Sequence, residues 1–362
     1  MNSARSPECV RVLQAFDRQA AWCRESSPFT ARLLDRSRRW LAGDDAALAA
    51  FAAATADPLA AALSLRWAGA LHHLALRGIA RWAAIWPPAR DPDTVDDAEL
   101  DDAVVGAWQT QFAAVRAALA GPPQTNEVQR SAALLPGLLH ISALTGRPLA
   151  LVEIGASAGL NLWCERYHYD CGVWQWGDPT ASLALRCDWR GPPPAAVAAP
   201  LRVVRRAGCD AQPIDITQPD EALRLASFVW PDQAERLARL RTAQRAVAGW
   251  MADERVAVQA QTASSFVAEQ LAAVGSSADG VATVLMHSVV WQYLGRAEQS
   301  AIEAALLAAA ERATLASPLA WLRFEPPAAD LRMELRCRLW PGGDERLLAV
   351  VHPHGAWVEW CG

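Results

Sequence analysis

Through the first 145 residues, apolar positions recur at intervals of three and four, as in ARLLDRSRRWLAGDDAALAAF at 31–51, the spacing of an amphipathic helix. This predicts an α-helical segment from about residue 8 to 145 with no strand. After Pro148 the pattern changes. Short β-rich runs appear at 149–154 (LALVEI), 201–210, 256–261, 281–290 and 319–325 (LAWLRFE), separated by helical stretches at 220–251, 264–274 and 297–314. Each stretch is long enough to cross between parallel strands. The end alternates differently. MELRCRLW at 333–340 and ERLLAVVHPHGAWVEW at 345–360 flank Pro341-Gly342-Gly343-Asp344, which predicts a closing antiparallel hairpin. The expected organisation is an α-helical cap over 1–145 and a doubly wound α/β domain over 146–362. Residues from about 168 to 200, rich in Gly and Pro, read as an insertion.

Composition narrows the chemistry. The chain has 362 residues, 52% of them hydrophobic, enough for one large or two modest cores. Its net charge of -5 gives no field to gather nucleic acid or an anionic membrane. There is no lysine, which excludes Schiff-base chemistry and a Walker A phosphate loop. Eight cysteines occur without a C-x-x-C pair, and MNSARSPECVRVLQAF has no secretory pattern, so a cytoplasmic protein is expected. The alanine-rich stretch 46–76 is interrupted by Asp57, Pro58, Arg66, His72 and His73, which argues against a membrane span. The acidic run Asp91–Asp102 reads as a solvated loop entering a helix, not a metal site.

LVEIGASAGLNLWCERY at 151–167 is the segment richest in chemistry. A buried strand ends at Glu153 and Ile154, and Gly155, Ala156, Ser157, Ala158 and Gly159 lead toward a predicted helix. Small residues let a ligand approach the backbone, and amides at a helix start favour an anionic group. The same residues spell G-x-S-x-G, which would make Ser157 a hydrolase nucleophile with His352 or His354 as its base. Against this, the hydrolase motif follows several strands, and here only helices precede it.

This loop resembles motif I of S-adenosylmethionine-dependent methyltransferases, with serine in place of the middle glycine at Ser157. The resemblance implies a seven-stranded, mostly parallel Rossmann domain closed by an antiparallel hairpin, with S-adenosylmethionine as cofactor and a small-molecule substrate. It implies that Glu153 orders the loop and that Gly155, Ala156, Ser157, Gly159 and Asn161 line the cofactor. It also implies that an acid ending the second strand, Asp210 or else Asp215, binds the ribose. TNEVQRSAALLPGLL, EIGASAGLNL, GCDAQPIDI, VWPDQAERLARL and MHSVVWQYL together are similar to a bacterial family known as domain of unknown function 2332. That similarity runs over nearly the whole chain and implies no activity.

Further candidates follow the fourth strand, where methyltransferases place substrate-facing groups. His287 is a candidate base or a core hydrogen-bonding residue. Ser288, Trp291, Gln292 and Tyr293 lie beside it, and the aromatic rings suit stacking or core packing. Thr125, Asn126, Glu127 and Arg130 precede the strand at 149. Capping accounts for them, or they reach the pocket from the cap side. Arg202, Arg205 and Arg206 read as a solvated strand edge or an anion contact, and His352 and His354 as a polar bend. The expected function is methyl transfer, with a non-catalytic binding protein and a Ser157 hydrolase as alternatives.

Overall fold

The computed structural model describes residues 5–275, 280–327 and 332–362. It divides into two compact units: one is Met1–Thr125 with Thr217–Arg241, the other Asn126–Ile216 with Thr242–Gly362. Residues 1–4, where a leader would begin, lie outside the described residues. Among the described residues no helix is long and apolar enough to cross a membrane.

The first unit is helical, and among the described residues no strand occurs before Leu149. Three of its helices begin where the sequence provides a side-chain cap. The Ser6 hydroxyl accepts from Cys9 N–H ahead of Pro7–Cys23, Asp44 caps Asp45–Ala54, and Asp96 with Glu99 forms a capping box on Asp97–Thr110. The core is built around Phe16, Phe29, Phe51, Trp67 and Leu100. Residues 217–241 belong here for a reason visible in hydrogen bonds: Asp232 accepts from the Ser27 hydroxyl and from Phe29 N–H (3.0 Å). His72 bonds the Ser227 carbonyl at 3.1 Å. The predicted helical stretch 220–251 is two helices, Pro219–Ser227 and Ala234–Glu254. Pro231, which disfavours helix in the residue before it, lies in the break.

Among the described residues the second unit contains twelve strands: β1 (Leu149–Ile154), β2 (His168–Asp170), β3 (Gln175–Trp176), β4 (Ala184–Arg186), β5 (Asp188–Arg190), β6 (Val203–Asp210), β7 (Val258–Ala260), β8 (Ala282–Ser288), β9 (Leu319–Glu325), β10 (Met333–Trp340), β11 (Glu345–Val351) and β12 (Trp357–Trp360). Nine form one mixed sheet in the order β5-β12-β11-β10-β9-β8-β1-β6-β7. Its parallel core is β7-β6-β1-β8-β9, and the predicted hairpin adds antiparallel at β9. The expectation of seven strands is therefore corrected to nine. The run after Asp344 bends into two strands because Pro353 has no amide to donate and Gly355 is left-handed (φ +72°), with its missing Cβ facing the Gln129 carbonyl. β5, from the region predicted as an insertion, then pairs with β12, while β3-β2-β4 make a separate small sheet.

Both faces of the large sheet are covered, so its central strands are mostly apolar; every residue of β1 and β8 is buried. Alternation along β9 sorts the two faces. Trp321 packs into the cluster with helices Ala263–Leu271 and Arg296–Ala310, while Leu322 faces Gly137 in helix Ser131–Thr145.

The helix expected after the glycine loop is a second correction. Leu160–Arg166 is a kinked 3-10 segment, non-helical at Trp163. The Tyr167 hydroxyl donates to the Leu160 carbonyl (2.6 Å) and the Tyr169 hydroxyl to the Cys164 carbonyl (2.7 Å). These side chains take carbonyls that α-helical amides four residues on would otherwise occupy.

Candidate functional site

In a parallel sheet, ligand crevices open at the carboxyl ends of strands where the chain reverses its direction of strand addition. Here the chain runs from β1 outward through β6 and β7, then returns to β8 on the other side of β1. The β1 loop and the ends of β8 and β9 thus meet at that switch point, all within the second unit.

Within the loop, Gly155 (φ +62°), Ser157 (φ +52°) and Gly159 (φ +72°) are left-handed at alternate positions. For a serine this conformation costs on the order of 1 kcal/mol and must be held by its surroundings. Asp210, at the end of β6, accepts from Ser157 N–H (3.0 Å) and Gln212 N–H (2.9 Å), and the Ser157 carbonyl accepts from Ile214 N–H (3.1 Å). The loop is further tied through Asn126, whose side-chain oxygen accepts from Leu160 N–H at 2.9 Å. Asn126 therefore reaches the loop, and Glu127 supplies the cap by accepting from Gln129 N–H at the turn Val128–Arg130.

The polar interior of the loop is not fully satisfied by protein. The Ser157 hydroxyl and the Asn161 side-chain oxygen are buried without hydrogen-bond partners, and the Asn161 amide lies against the buried Glu153 carboxyl. Burial, and secondarily the charge of Asp210, pushes the Glu153 carboxyl well above the usual carboxylate range, while Arg130 and Asn161 pull the other way. Arg130, itself buried, donates to the Ser288 carbonyl (3.2 Å) and the Pro353 carbonyl (3.0 Å).

At the ends of β8 and β9 the decisive residue is one the sequence reading did not single out. Glu325 Oε1 meets His287 Nδ1 at 2.6 Å and accepts from Val290 N–H (2.9 Å) and Trp291 N–H (3.2 Å). His287 Nε2 accepts from the Trp321 indole N–H at 3.1 Å. Because an indole nitrogen only donates, the imidazole proton sits on Nδ1, facing Glu325. Both ring nitrogens are thus engaged, and Trp291 stacks on the ring at 5.4 Å. Val289 is left-handed (φ +59°), an unusual conformation for a β-branched residue, and Val290 lies directly over Gly155. The signal available in the sequence was an acid at the carboxyl end of a predicted parallel strand.

The other candidates fall outside this cluster or at its rim. Tyr293 is 74% exposed, Gln292 is exposed and Asp215 is exposed. Arg202 and Arg205 are exposed, but the Arg206 side chain is buried, donates to Leu162 O (3.1 Å) and pairs with Glu165 and Glu254 beneath Trp163. Since β7 covers that side of β6 at its far end and the Arg206 side chain turns inward, the solvated-edge reading fails for this residue. His352 Nδ1 accepts from His354 N–H at 3.1 Å, a polar bend. No group of three or more His, Cys, Asp or Glu is gathered for a metal among the described residues.

No curated protein and no solved structure matches the chain. A family model matches residues 13–360, and with nearly the whole length covered the chain belongs to the DUF2332 family, described as an uncharacterized protein conserved in bacteria.

Proposed function

We propose that the protein binds S-adenosylmethionine at the β1 loop and transfers its methyl group to a small molecule. The supporting observation is the pair of unpartnered buried oxygens on Ser157 and Asn161 at the sheet's switch point. Each such group costs roughly 1–3 kcal/mol when left unmade, and a ligand with matching donors offsets that cost. The fit is chemical: the Asp210 carboxyl suits ribose hydroxyls, and the Glu153 carboxyl, which burial keeps protonated above its ordinary range, offers both a donor and an acceptor to the amino-acid portion.

In this reading Gly155, Ala156, Ser157 and Gly159 line the amino-acid portion, Glu153 and Asn161 bond its polar groups, and Asp210 takes the ribose. The cofactor, when bound, supplies an electrophilic methyl group. The chain's part is orientation, with Asn126 and Arg130 bracing the loop and Ser288, Trp291 and Gln292 bordering the acceptor. With His287 engaged at both nitrogens, acceptors that already carry a free lone pair, such as a carboxylate or a neutral amine, suit the site best.

The same engagement of His287, with Tyr293 exposed, favours as second reading a binding protein on this fold without turnover. The hydrolase reading has less support, because no base is hydrogen-bonded to the Ser157 hydroxyl. Titration with S-adenosylhomocysteine and with NADH tests the proposal. Binding of the first alone supports it, and binding of NADH alone replaces it with a dinucleotide site.

A further inference from the structure

Two of the eight cysteines lie together in the second unit, away from the β1 loop. Cys171 follows β2 and Cys187 lies between β4 and β5, with their sulfurs 3.2 Å apart. β2 and β4 pair in parallel, and their register ends at Asp170↔Arg186, so the two cysteines occupy the next facing positions. Neighbouring strands lie about 4.7–4.9 Å apart, inside the roughly 4.4–6.8 Å between Cα atoms that a disulfide spans. Cys171 is buried and Cys187 is half-buried.

We infer that Cys171 and Cys187 form a reversible dithiol–disulfide site whose oxidant is a low-molecular-weight disulfide. The Cys187 thiolate attacks one sulfur of the external disulfide, breaking its S–S bond and releasing one thiolate, which takes a proton. The Cys171 thiol then gives up its proton and attacks the Cys187 sulfur. The intramolecular S–S bond forms as the second external thiol leaves. Two protein thiols are oxidised, and one external disulfide is reduced to two thiols. The order follows access. Cys187 reaches solvent, whereas the hydrogen bond to Cys187 and burial both push the Cys171 thiol up, so it acts second. Oxidation would tie the small sheet to the joint where the chain passes from β4 into β5, the edge strand of the nine-stranded sheet.

The test uses the full-length reduced protein, incubated with oxidised glutathione, alkylated without reductant and mapped by peptide mass spectrometry. The expected result is a Cys171–Cys187 cross-link that dithiothreitol reverses, a stable glutathione adduct on Cys187 in Cys171→Ser, and an unmodified Cys171 in Cys187→Ser. Melting curves of both serine variants establish that they are folded. A wild-type chain in which Cys187 holds glutathione without passing to the cross-link, or in which both thiols remain alkylatable, would overturn the inference.

Discussion

The Asp210 carboxylate accepts the backbone amide of Ser157 at 3.0 Å, so the acid closing β6 holds the left-handed residue at the centre of the β1 loop. Replacing it with alanine leaves that amide unpaired and the strained loop unsupported. Asp210→Ala is expected to lose about 1–3 kcal/mol in urea denaturation, and Asp210→Asn, which keeps one acceptor, about half of that. Equal losses in the two variants would show that the acceptor does not hold the loop.

Gly155 and Val290 make a second coupled pair. A Cβ at Gly155 would lie 2.2 Å from Val290 Cγ2, and the residue has φ +62°. Gly155→Ala is expected to destabilise by about 2–4 kcal/mol from overpacking and backbone strain together. Adding Val290→Ala should recover the overpacking part and leave the strain. A double-mutant cycle reads the difference, and additive effects would refute the contact.

The Glu153 carboxyl has a predictable pH signature. Its folded-state pKa is raised by burial and by Asp210, so the folded protein keeps the proton at pH values where the unfolded chain has released it. Stability from this group is therefore full below about pH 4.5 and is lost as pH rises toward the folded value. Glu153→Gln, neutral at every pH, should melt close to wild type in acid and above it in mild alkali. A variant that melts lower throughout would show that the carboxylate is compensated in the fold.

His72 gives the opposite slope in the first unit. Burial lowers its imidazole from 6.5 to about 4, so between those values the unfolded chain binds a proton that the folded protein refuses. Stability falls as pH drops through that window, by up to about 3 kcal/mol. His72→Asn retains a donor for the Ser227 carbonyl and should flatten this part of the profile in urea denaturation from neutrality to about pH 4.5. An unchanged slope would assign the acid sensitivity elsewhere.

What was legible in the sequence was local. β1 and β9 fall on the residues their apolar runs predicted, and the small residues of the β1 loop marked a strained turn at the end of β1. What was not legible depends on contacts between distant residues. Glu325 is a lone acid until folding brings it to His287, thirty-eight positions earlier in the chain. The helix expected at Leu160 is displaced by two tyrosine hydroxyls, and no periodicity records where a hydroxyl will reach. β5 is too short to announce itself and exists through its pairing with β12. His287 looked available as a base because the indole that occupies its Nε2 lies on another strand.

The central claim is that the unpartnered atoms of the β1 loop are ligand-binding groups. Ser157→Ala removes a hydroxyl that no protein group uses, so it should not lower the melting temperature of the ligand-free protein, whereas Asn161→Ala also removes the amide beside Glu153. Calorimetric titration of wild type and both variants with S-adenosylmethionine and S-adenosylhomocysteine is the most direct measurement. Micromolar binding to wild type is expected, weakened roughly tenfold in each variant, since one lost hydrogen bond in a buried site costs about 1–3 kcal/mol. No binding to wild type at millimolar ligand, or equal affinity in all three proteins, would contradict the claim.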